Sequence, residues 1–227
     1  MDDDNILKDL FADRTSKKTL IAVYSFVMLV LSYHAIIYFV VDAEKIIDRN
    51  VQDEYTVTFV EEAISTSDSR VVADGVSEQM DYIVSENDFE RFHGLGYLQV
   101  VVSYEETGGI DGGPCDTVSV NIPPNGANAD WQNLNNTLSG TSDDCTDINL
   151  FIAIFPNYNN SEQSVIGIQP TSIIEQWSSN DYGSGVFNLN IDVDTNSVAP
   201  SPYPQDDNEE ISVTWIAHFF NANVEKV

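Results

Sequence analysis

The sequence predicts a single N-terminal transmembrane helix followed by a mainly β domain, for which an antiparallel β-sandwich of immunoglobulin-like or jelly-roll-like form is the most economical fold. Three observations support this prediction. An apolar stretch near the N-terminus carries no formal charge, several later segments alternate apolar and polar residues, and the intervals between those segments contain turn residues instead of repeated amphipathic helices.

The chain of 227 residues divides into four parts on this basis. We expect a short N-terminal segment over residues 1–18, a transmembrane helix over residues 19–41, a juxtamembrane linker over residues 42–54 and an acidic β domain over residues 55–227. About 180 residues after the apolar stretch are enough for one domain with a real core and marginal for two. We therefore expect one folded domain after the helix.

The apolar stretch from Thr19 to Val41 is the strongest signal in the chain. At about 1.5 Å per residue, a helix of this length crosses a hydrocarbon core of about 30 Å. A cleaved signal peptide usually has a shorter apolar region and a basic start, whereas residues 1–18 hold five Asp beside four Lys or Arg. Although Val41-Asp42-Ala43 offers a weak cleavage pattern, we expect the helix to be retained in the lipid bilayer.

The cations that flank the helix predict its orientation. Arg14, Lys17 and Lys18 precede it, while Lys45 and Arg49 follow it, and the side with more cations normally faces the cytoplasm. We expect a cytoplasmic N-terminus and an extracytoplasmic C-terminal domain in the cell membrane.

One face of the predicted helix carries small side chains. Ala22, Ser25 and Ser32 fall on one stripe, and small residues let helices approach closely in lipid. This pattern favours a membrane-protein partner. His34 is best interpreted as a neutral imidazole that is hydrogen bonded or near the membrane interface.

The charge of the chain is strongly negative. Lys and Arg number 9 against 37 Asp and Glu, for a formal charge of −28, and no Lys or Arg occurs from Phe92 to Glu225. Such a surface cannot neutralise phosphates, which excludes nucleic-acid binding. An acidic, Lys-poor composition resembles that of proteins from halophilic archaea, because concentrated salt screens the repulsion between like charges.

About seven strands are predicted from alternation or from continuous apolar runs. The run Ile148–Phe155 is suited to a strand buried on both faces, and residues 172–177 are predicted as a short helix or another strand. The other predicted strands are Tyr55–Val60, Gln79–Val84, Tyr97–Tyr104, Thr117–Ile122, Val186–Val193 and Ile211–Phe219.

Both cysteines, Cys115 and Cys145, lie in the acidic domain. If they pair, they close a loop of about 30 residues, which stabilises the fold by roughly 3 to 4 kcal/mol and indicates an oxidising compartment. The alternative is two free buried thiols. A zinc site is poorly supported, because neither a CxxC motif nor a nearby His accompanies them.

No catalytic constellation is recognisable in the acidic domain. His218 falls within the last predicted strand and His93 in an expected turn, and both are better explained as packed or surface residues than as bases. The G-x-S-x-G and HExxH motifs are absent from the sequence. We therefore do not expect an enzyme, although an exported hydrolase is kept as a distant alternative.

Asp192, Asp194 and Asn196 form the most patterned acidic set, and they match the first half of a calcium loop. The match fails later, where Ser197 stands in place of the required Gly and Tyr203 in place of the closing Glu. A second acidic cluster spans residues 205–210. Calcium is the one cofactor that these residues suggest, and a solvated acidic surface is the alternative interpretation.

Asn135 and Asn159 begin N-glycosylation sequons in polar segments, which agrees with an exterior location. Together, these features predict a membrane-anchored extracytoplasmic binding or structural module of the cell envelope, adapted to high salt, with an accessory subunit of a membrane complex as one such role. The alternative is a calcium-binding or solute-binding surface domain.

Overall fold

The structure is a computed structural model that describes residues 14–41, 53–106, 114–167, 169–196 and 207–227. The chain forms two compact units, residues 1–52 and residues 53–227. Each unit is described by itself.

The N-terminal unit contains one apolar helix, α1, over Arg14–Ile36, which continues into a π-helical turn over Ile37–Val41. No residue of α1 is buried, and the segment Arg14–Phe39 is long and apolar enough to cross a membrane. A signal sequence near an N-terminus shares these properties. The helix begins five residues earlier than predicted, because Arg and Lys are good helix formers and extend its first turn.

The second unit contains nine strands in the part of the chain that the structure describes. They are β1 (Asp53–Ala73), β2 (Ser77–Val84), β3 (Gly94–Tyr104), β4 (Thr117–Asn121), β5 (Ser139–Ser142), β6 (Ile148–Ala153), β7 (Gln163–Gly167), β8 (Gly185–Asp194) and β9 (Asn208–Lys226). A 3₁₀-helix over Glu86–Phe89 follows β2, and a short helix, α2, over Pro170–Gln176 follows β7.

The strands form two sheets, and the pairings between these described strands are all antiparallel. One sheet has five strands in the order β6-β3-β9-β1-β7, and the other has four in the order β2-β8-β4-β5. The prediction of an antiparallel β-sandwich after an N-terminal apolar helix is confirmed.

The main core lies between the two sheets and is built from alternate residues of each strand. In β9, Ile211, Val213, Trp215, Ala217 and Phe219 all point into this core and are at most 2% exposed. The four-stranded sheet contributes Leu189 and Ile191 of β8 among others. Alternation of this kind is what the sequence shows in both strands.

A second, smaller core covers one end of the outer face of the five-stranded sheet. The opposite face of β9 turns apolar from Phe220 onward, and Phe220 packs with Tyr55, Phe155, Ile173 and Trp177. Ile173 is carried by α2, whose Pro170 occupies the first turn, where proline is tolerated. The segment predicted as helix or strand is therefore a helix for most of its length.

The structure corrects the strand predictions in three respects. The Ile148–Phe155 run was expected to be buried on both faces, but β6 is an edge strand in which Asn149 is exposed. Strands β5 and β7 were not predicted, because their Ser, Thr and Gly residues give no apolar alternation. Strand β1 was predicted to end at Val60, yet it continues to Ala73.

Candidate functional site: a carboxylate-rich end of the sandwich

The disulfide anchors one end of the sandwich. Cys115 and Cys145 are bonded, with a Cα–Cα distance of 5.6 Å, and the described residues contain no free cysteine. The bond ties the segment before β4 to the segment between β5 and β6. The prediction that the two cysteines pair is confirmed.

A buried tyrosine holds the same region together. The Tyr104 hydroxyl at the end of β3 lies 2.8 Å from the carbonyl oxygen of Asp116 and 3.0 Å from that of Ser142. The side chain of Tyr104 is 4% exposed. These contacts fix the position of the residue that follows Cys115.

Three carboxylates from separate elements converge beside the disulfide. Glu106 follows β3, Asp116 precedes β4 and Glu209 lies at the start of β9, and each offers an oxygen within 4.8 Å of the other two. Asp116 and Glu209 are completely buried, and Glu106 is partly buried. We call these three residues the carboxylate cluster.

Asn196 links the predicted calcium set to this cluster. Its backbone N–H donates to Asp116 Oδ1 over 2.7 Å, and its side-chain amide donates to the Cys115 carbonyl oxygen over 2.7 Å. Asp192 and Asp194, by contrast, are exposed on β8 and do not belong to the cluster. The structure therefore brings together Asn196 and Glu209 from the two acidic stretches singled out in the sequence, but not the two aspartates.

An open cavity of about 390 Å³ lies at the same end of the five-stranded sheet. Three more carboxylates line it, those of Glu105, Asp147 and Glu210, together with Ser103, Ser212 and residues of the disulfide region. Because neighbouring residues of a strand point to opposite faces, Glu105 and Glu210 face this cavity while Glu106 and Glu209 face the cluster. Carboxylates thus lie on both faces of the five-stranded sheet at the end beside the disulfide.

The chemistry of this end suits a hard cation. Calcium prefers six to eight oxygen ligands from carboxylates, carbonyls and water. Burying like-charged carboxylates within 4.8 Å of one another is costly unless protons or a cation balance them. Nearby, hydrogen bonds from Thr146 lower the pKa of the exposed Asp144 carboxyl, so this group stays ionised.

Glu106 and Asp116 were not singled out from the sequence. The available signal was an Asp directly after a cysteine that was expected to form a disulfide, at the start of a predicted strand. Glu106 gave no comparable signal, because many acidic residues occur in similar places.

His93 lies at the opposite end of β3. It lines an open cavity of about 300 Å³ together with Glu86, Glu90, Ser178 and Ser179. However, His93 Nδ1 accepts a hydrogen bond of 2.9 Å from the Ala222 backbone N–H, so a neutral ring carries its proton on Nε2. A general base for serine needs a free acceptor nitrogen, and this arrangement disfavours that role.

His218 lies on the outer face of the five-stranded sheet, as the alternation in β9 predicted. Its ring stacks on Tyr97 with centroids 4.1 Å apart, and Nε2 lies 3.2 Å from Gln99 Oε1. Burial lowers the pKa of His218, although the carboxylate of Glu61 opposes this effect. The stacking and the hydrogen bond describe a packed histidine.

The predicted glycosylation and helix-packing residues are all exposed. Asn135 lies between β4 and β5 and Asn159 between β6 and β7, and both are exposed. Ala22, Ser25 and Ser32 are exposed on α1. Ser197, Tyr203, Lys45 and Arg49 lie outside the described residues, as does most of the predicted linker. Glycosylation and helix packing remain predictions.

Comparison with protein-family models and with curated proteins yields no match. Among solved structures, a chain of turnip yellow mosaic virus shares 16% identity at a TM-score of 0.27, covering 72% of this chain and 83% of the viral one. A chain of Desmodium yellow mottle tymovirus shares 10% identity at a TM-score of 0.25, covering 72% and 84%. Similarities this low carry no argument about function.

Proposed function

We propose that this protein is a non-enzymatic, membrane-anchored extracytoplasmic module of the cell envelope, which binds or organises another envelope component and works in high salt. The observation that carries the proposal is the contrast between α1, which buries no side chain, and the β domain, which is closed by its own core and disulfide. An accessory subunit of a membrane complex fits this design.

The exposed apolar surface of α1 supports anchoring in lipid. Tyr24 and Leu29 of α1, and Phe39 of the π-helical turn that continues it, are each at least 70% exposed. A helix that exposes such side chains on all sides is costly in water. A bilayer covers this surface. Retention of the helix, instead of cleavage, is tested by the N-terminal sequence and mass of the protein purified from membranes.

The disulfide supports an extracytoplasmic location for the β domain, because such bonds persist in oxidising compartments. The excess of flanking cations before the helix favours the same orientation. Labelling intact cells with a membrane-impermeant amine reagent tests it. Modification of Lys226 in intact cells is expected, and protection of Lys226 until the cells are lysed would contradict the orientation.

The first functional experiment is a pull-down of tagged full-length protein from gently solubilised membranes at the salt concentration of the host, compared with a chain that begins at Asp42. A partner captured only by the full-length protein supports an accessory subunit held through α1. A partner captured by both places recognition in the β domain. Capture of no component of the envelope by either chain would contradict the proposal.

Matched helix variants locate the partner contact. Replacing Ala22, Ser25 and Ser32 together by Leu keeps the helix apolar but removes the small-residue stripe, and we expect loss of a helix-bound partner. Replacing Val23, Val27 and Val30 together by Leu is the control, since these residues are already bulky. Equal capture by both triple variants would show that the stripe is not the contact.

A second candidate function is cation binding, which the convergence of Glu106, Asp116 and Glu209 favours over the two aspartates of β8. Calorimetric titration of the full-length protein in detergent with calcium, in high salt, tests it. We expect Asp116→Asn to abolish the heat of binding and Asp192→Asn to leave it unchanged. The absence of calcium heat in the unaltered protein would remove this candidate, and loss in the Asp192 variant alone would return the site to the β8 set.

A further inference from the structure

Most of strand β1 has a free hydrogen-bonding edge. It pairs with β9 from Tyr55 to Ala73, but with β7 only from Asp53 to Val57. Among the described residues, no strand pairs with the other edge of β1 from Thr58 to Ala73. We call this stretch the free edge.

The free edge is also poorly covered by side-chain packing. All residues from Ser65 to Val71 are exposed, on both faces of the strand, and Val60 and Val71 are each 58% exposed. A strand with this little buried surface gains little stability from side-chain packing. Its extended conformation therefore depends mainly on backbone hydrogen bonds to β9. A strand in this state is a template for another strand.

The free edge lacks most of the features by which proteins usually prevent an edge strand from pairing with another chain. The free edge contains no Lys and no Pro, and its register with β9 runs from Tyr55 to Ala73 without a bulge. Its charged residues are Glu61, Glu62, Asp68 and Arg70. The edge is therefore long and regular, and its four charged residues among sixteen include both signs.

We propose that a second copy of this chain pairs with the free edge, so that two β1 strands run antiparallel about a two-fold axis at Thr66 and join the two five-stranded sheets into one. A two-fold axis perpendicular to a sheet places one residue opposite its own copy, and it pairs residues equally distant on either side. The free edge from Thr58 to Ala73 has its midpoint between Ser65 and Thr66, so a register centred on either residue uses nearly all of it.

Charge selects between these two registers. With the axis at Thr66, Glu62 of each copy faces Arg70 of the other, which gives two favourable pairs. With the axis at Ser65, Glu62 faces Asp68 instead, which gives two repulsive pairs. Within the chain, Glu62 pairs with Arg91, and Arg70 lies 3.7 Å from Glu78. The side chains of Glu62 and Arg70 are nevertheless 55% and 45% exposed, so both are also accessible to a second copy.

Cysteine cross-linking tests the geometry in the full-length protein, because the two native cysteines are bonded to each other. In the Thr66→Cys variant, the two introduced residues face each other with Cα atoms about 5 Å apart, which suits a disulfide. In the Ser69→Cys control, the two copies are separated by about 20 Å along the strands. We expect rapid cross-linking of the first variant and at least about tenfold slower cross-linking of the control.

A charge reversal tests the register. In the Thr66→Cys background, Arg70→Glu or Glu62→Arg alone places like charges opposite each other, and we expect about tenfold slower cross-linking. The double variant Glu62→Arg with Arg70→Glu restores the opposite charges between the copies and should raise the rate well above that of either single variant, because the lost intrachain pairs with Arg91 and Glu78 are exposed and contribute little. A variant that was merely misfolded would not be rescued by the second substitution.

Three results would overturn the proposal. One is equal cross-linking through Thr66→Cys and Ser69→Cys, which indicates random collision or contact through α1. Another is failure of Thr66→Cys to cross-link in a protein whose circular dichroism matches that of the unaltered chain. The third is a double charge reversal that stays as slow as the single variants, which would show that Glu62 and Arg70 do not face each other and that the proposed register is wrong.

Discussion

Strands β1 and β9 pair with each other over 19 positions, yet they occupy opposite situations. Strand β9 lies between β1 and β3 at the centre of its sheet, and it is buried at every second position from Glu209 to Phe219. Strand β1 has a second neighbour only at its start and is exposed over most of the remainder. The same extended backbone is thus stabilised by packing in one strand and by pairing in the other.

The difference shows that strand length is set by the partner as much as by the strand's own residues. The stretch from Glu61 to Arg70 has few apolar residues and no sustained alternation, so it does not predict a strand. It is extended because β9 continues beside it and presents a full row of backbone donors and acceptors. Hydrophobic burial contributes little there.

The largest expected difference between the two strands is in the loss of unfolding free energy on substitution by Ala, at the paired residues Thr66 and Trp215. Trp215 is 2% exposed and stacks on Tyr82, whereas Thr66 is exposed. We expect Trp215→Ala to lower the free energy of unfolding by about 3 to 5 kcal/mol and Thr66→Ala by less than about 0.5 kcal/mol. Guanidinium denaturation followed by far-UV circular dichroism measures both, and equal losses would break the comparison.

A smaller difference is expected within β1 itself. Val57 is fully buried where β1 has two neighbours, while Val60 is 58% exposed just beyond them. We expect Val57→Ala to cost about 2 kcal/mol of unfolding free energy and Val60→Ala less than about 0.5 kcal/mol. The same denaturation experiment applies. A large loss for Val60→Ala would indicate that the Val60 side chain is buried in solution.

A side-chain hydrogen bond marks the point where β1 leaves its second neighbour. The Tyr158 hydroxyl donates to Glu61 Oε1 over 2.6 Å, and burial followed by this carboxylate raises the pKa of Tyr158. We expect Tyr158→Phe to cost about 1 kcal/mol of unfolding free energy. A double-mutant cycle with Glu61→Gln isolates the pairwise contribution, and a coupling energy near zero would show that Glu61 does not hold the tyrosine.

The smallest expected effect is a pH dependence at His218 in β9. Because burial lowers the pKa of His218 below its ordinary value of 6.5, the unfolded chain binds a proton at higher pH than the folded one. The contribution of this histidine to stability is therefore complete above pH 6.5 and decreases as the pH falls below that value. The difference in unfolding free energy between the unaltered protein and His218→Gln, measured between about pH 8 and about pH 5, should change in that direction. A constant difference would contradict it.

Local sequence patterns were sufficient for features that depend on a residue's immediate neighbours. The uncharged run from Thr19 to Val41 predicted the apolar helix, and the alternation from Ile211 to Phe219 predicted which face of β9 is buried. Seven of the nine described strands were predicted for the same reason. The disulfide was predicted because two cysteines in one domain leave only one pairing.

The candidate site was only partly predictable. Asn196 and the acidic stretch that contains Glu209 were singled out, but Asp192 and Asp194 lie on an exposed face instead of in the carboxylate cluster. Glu106 and Asp116 join Glu209 because the end of β3, the start of β4 and the start of β9 meet at one end of the sandwich. Glu209 is far along the chain from Glu106 and Asp116, so no local sequence pattern indicates that the three residues meet.

The amino-acid sequence by itself determined the apolar helix, the β class of the domain, the burial pattern of its central strand and the strongly acidic composition, because each depends on composition or on a short period. Only the tertiary structure decided the order of the strands, the length of β1, the second core around Phe220 and the meeting of Glu106, Asp116 and Glu209. These features depend on contacts between residues distant in sequence, which arise only when the two sheets assemble.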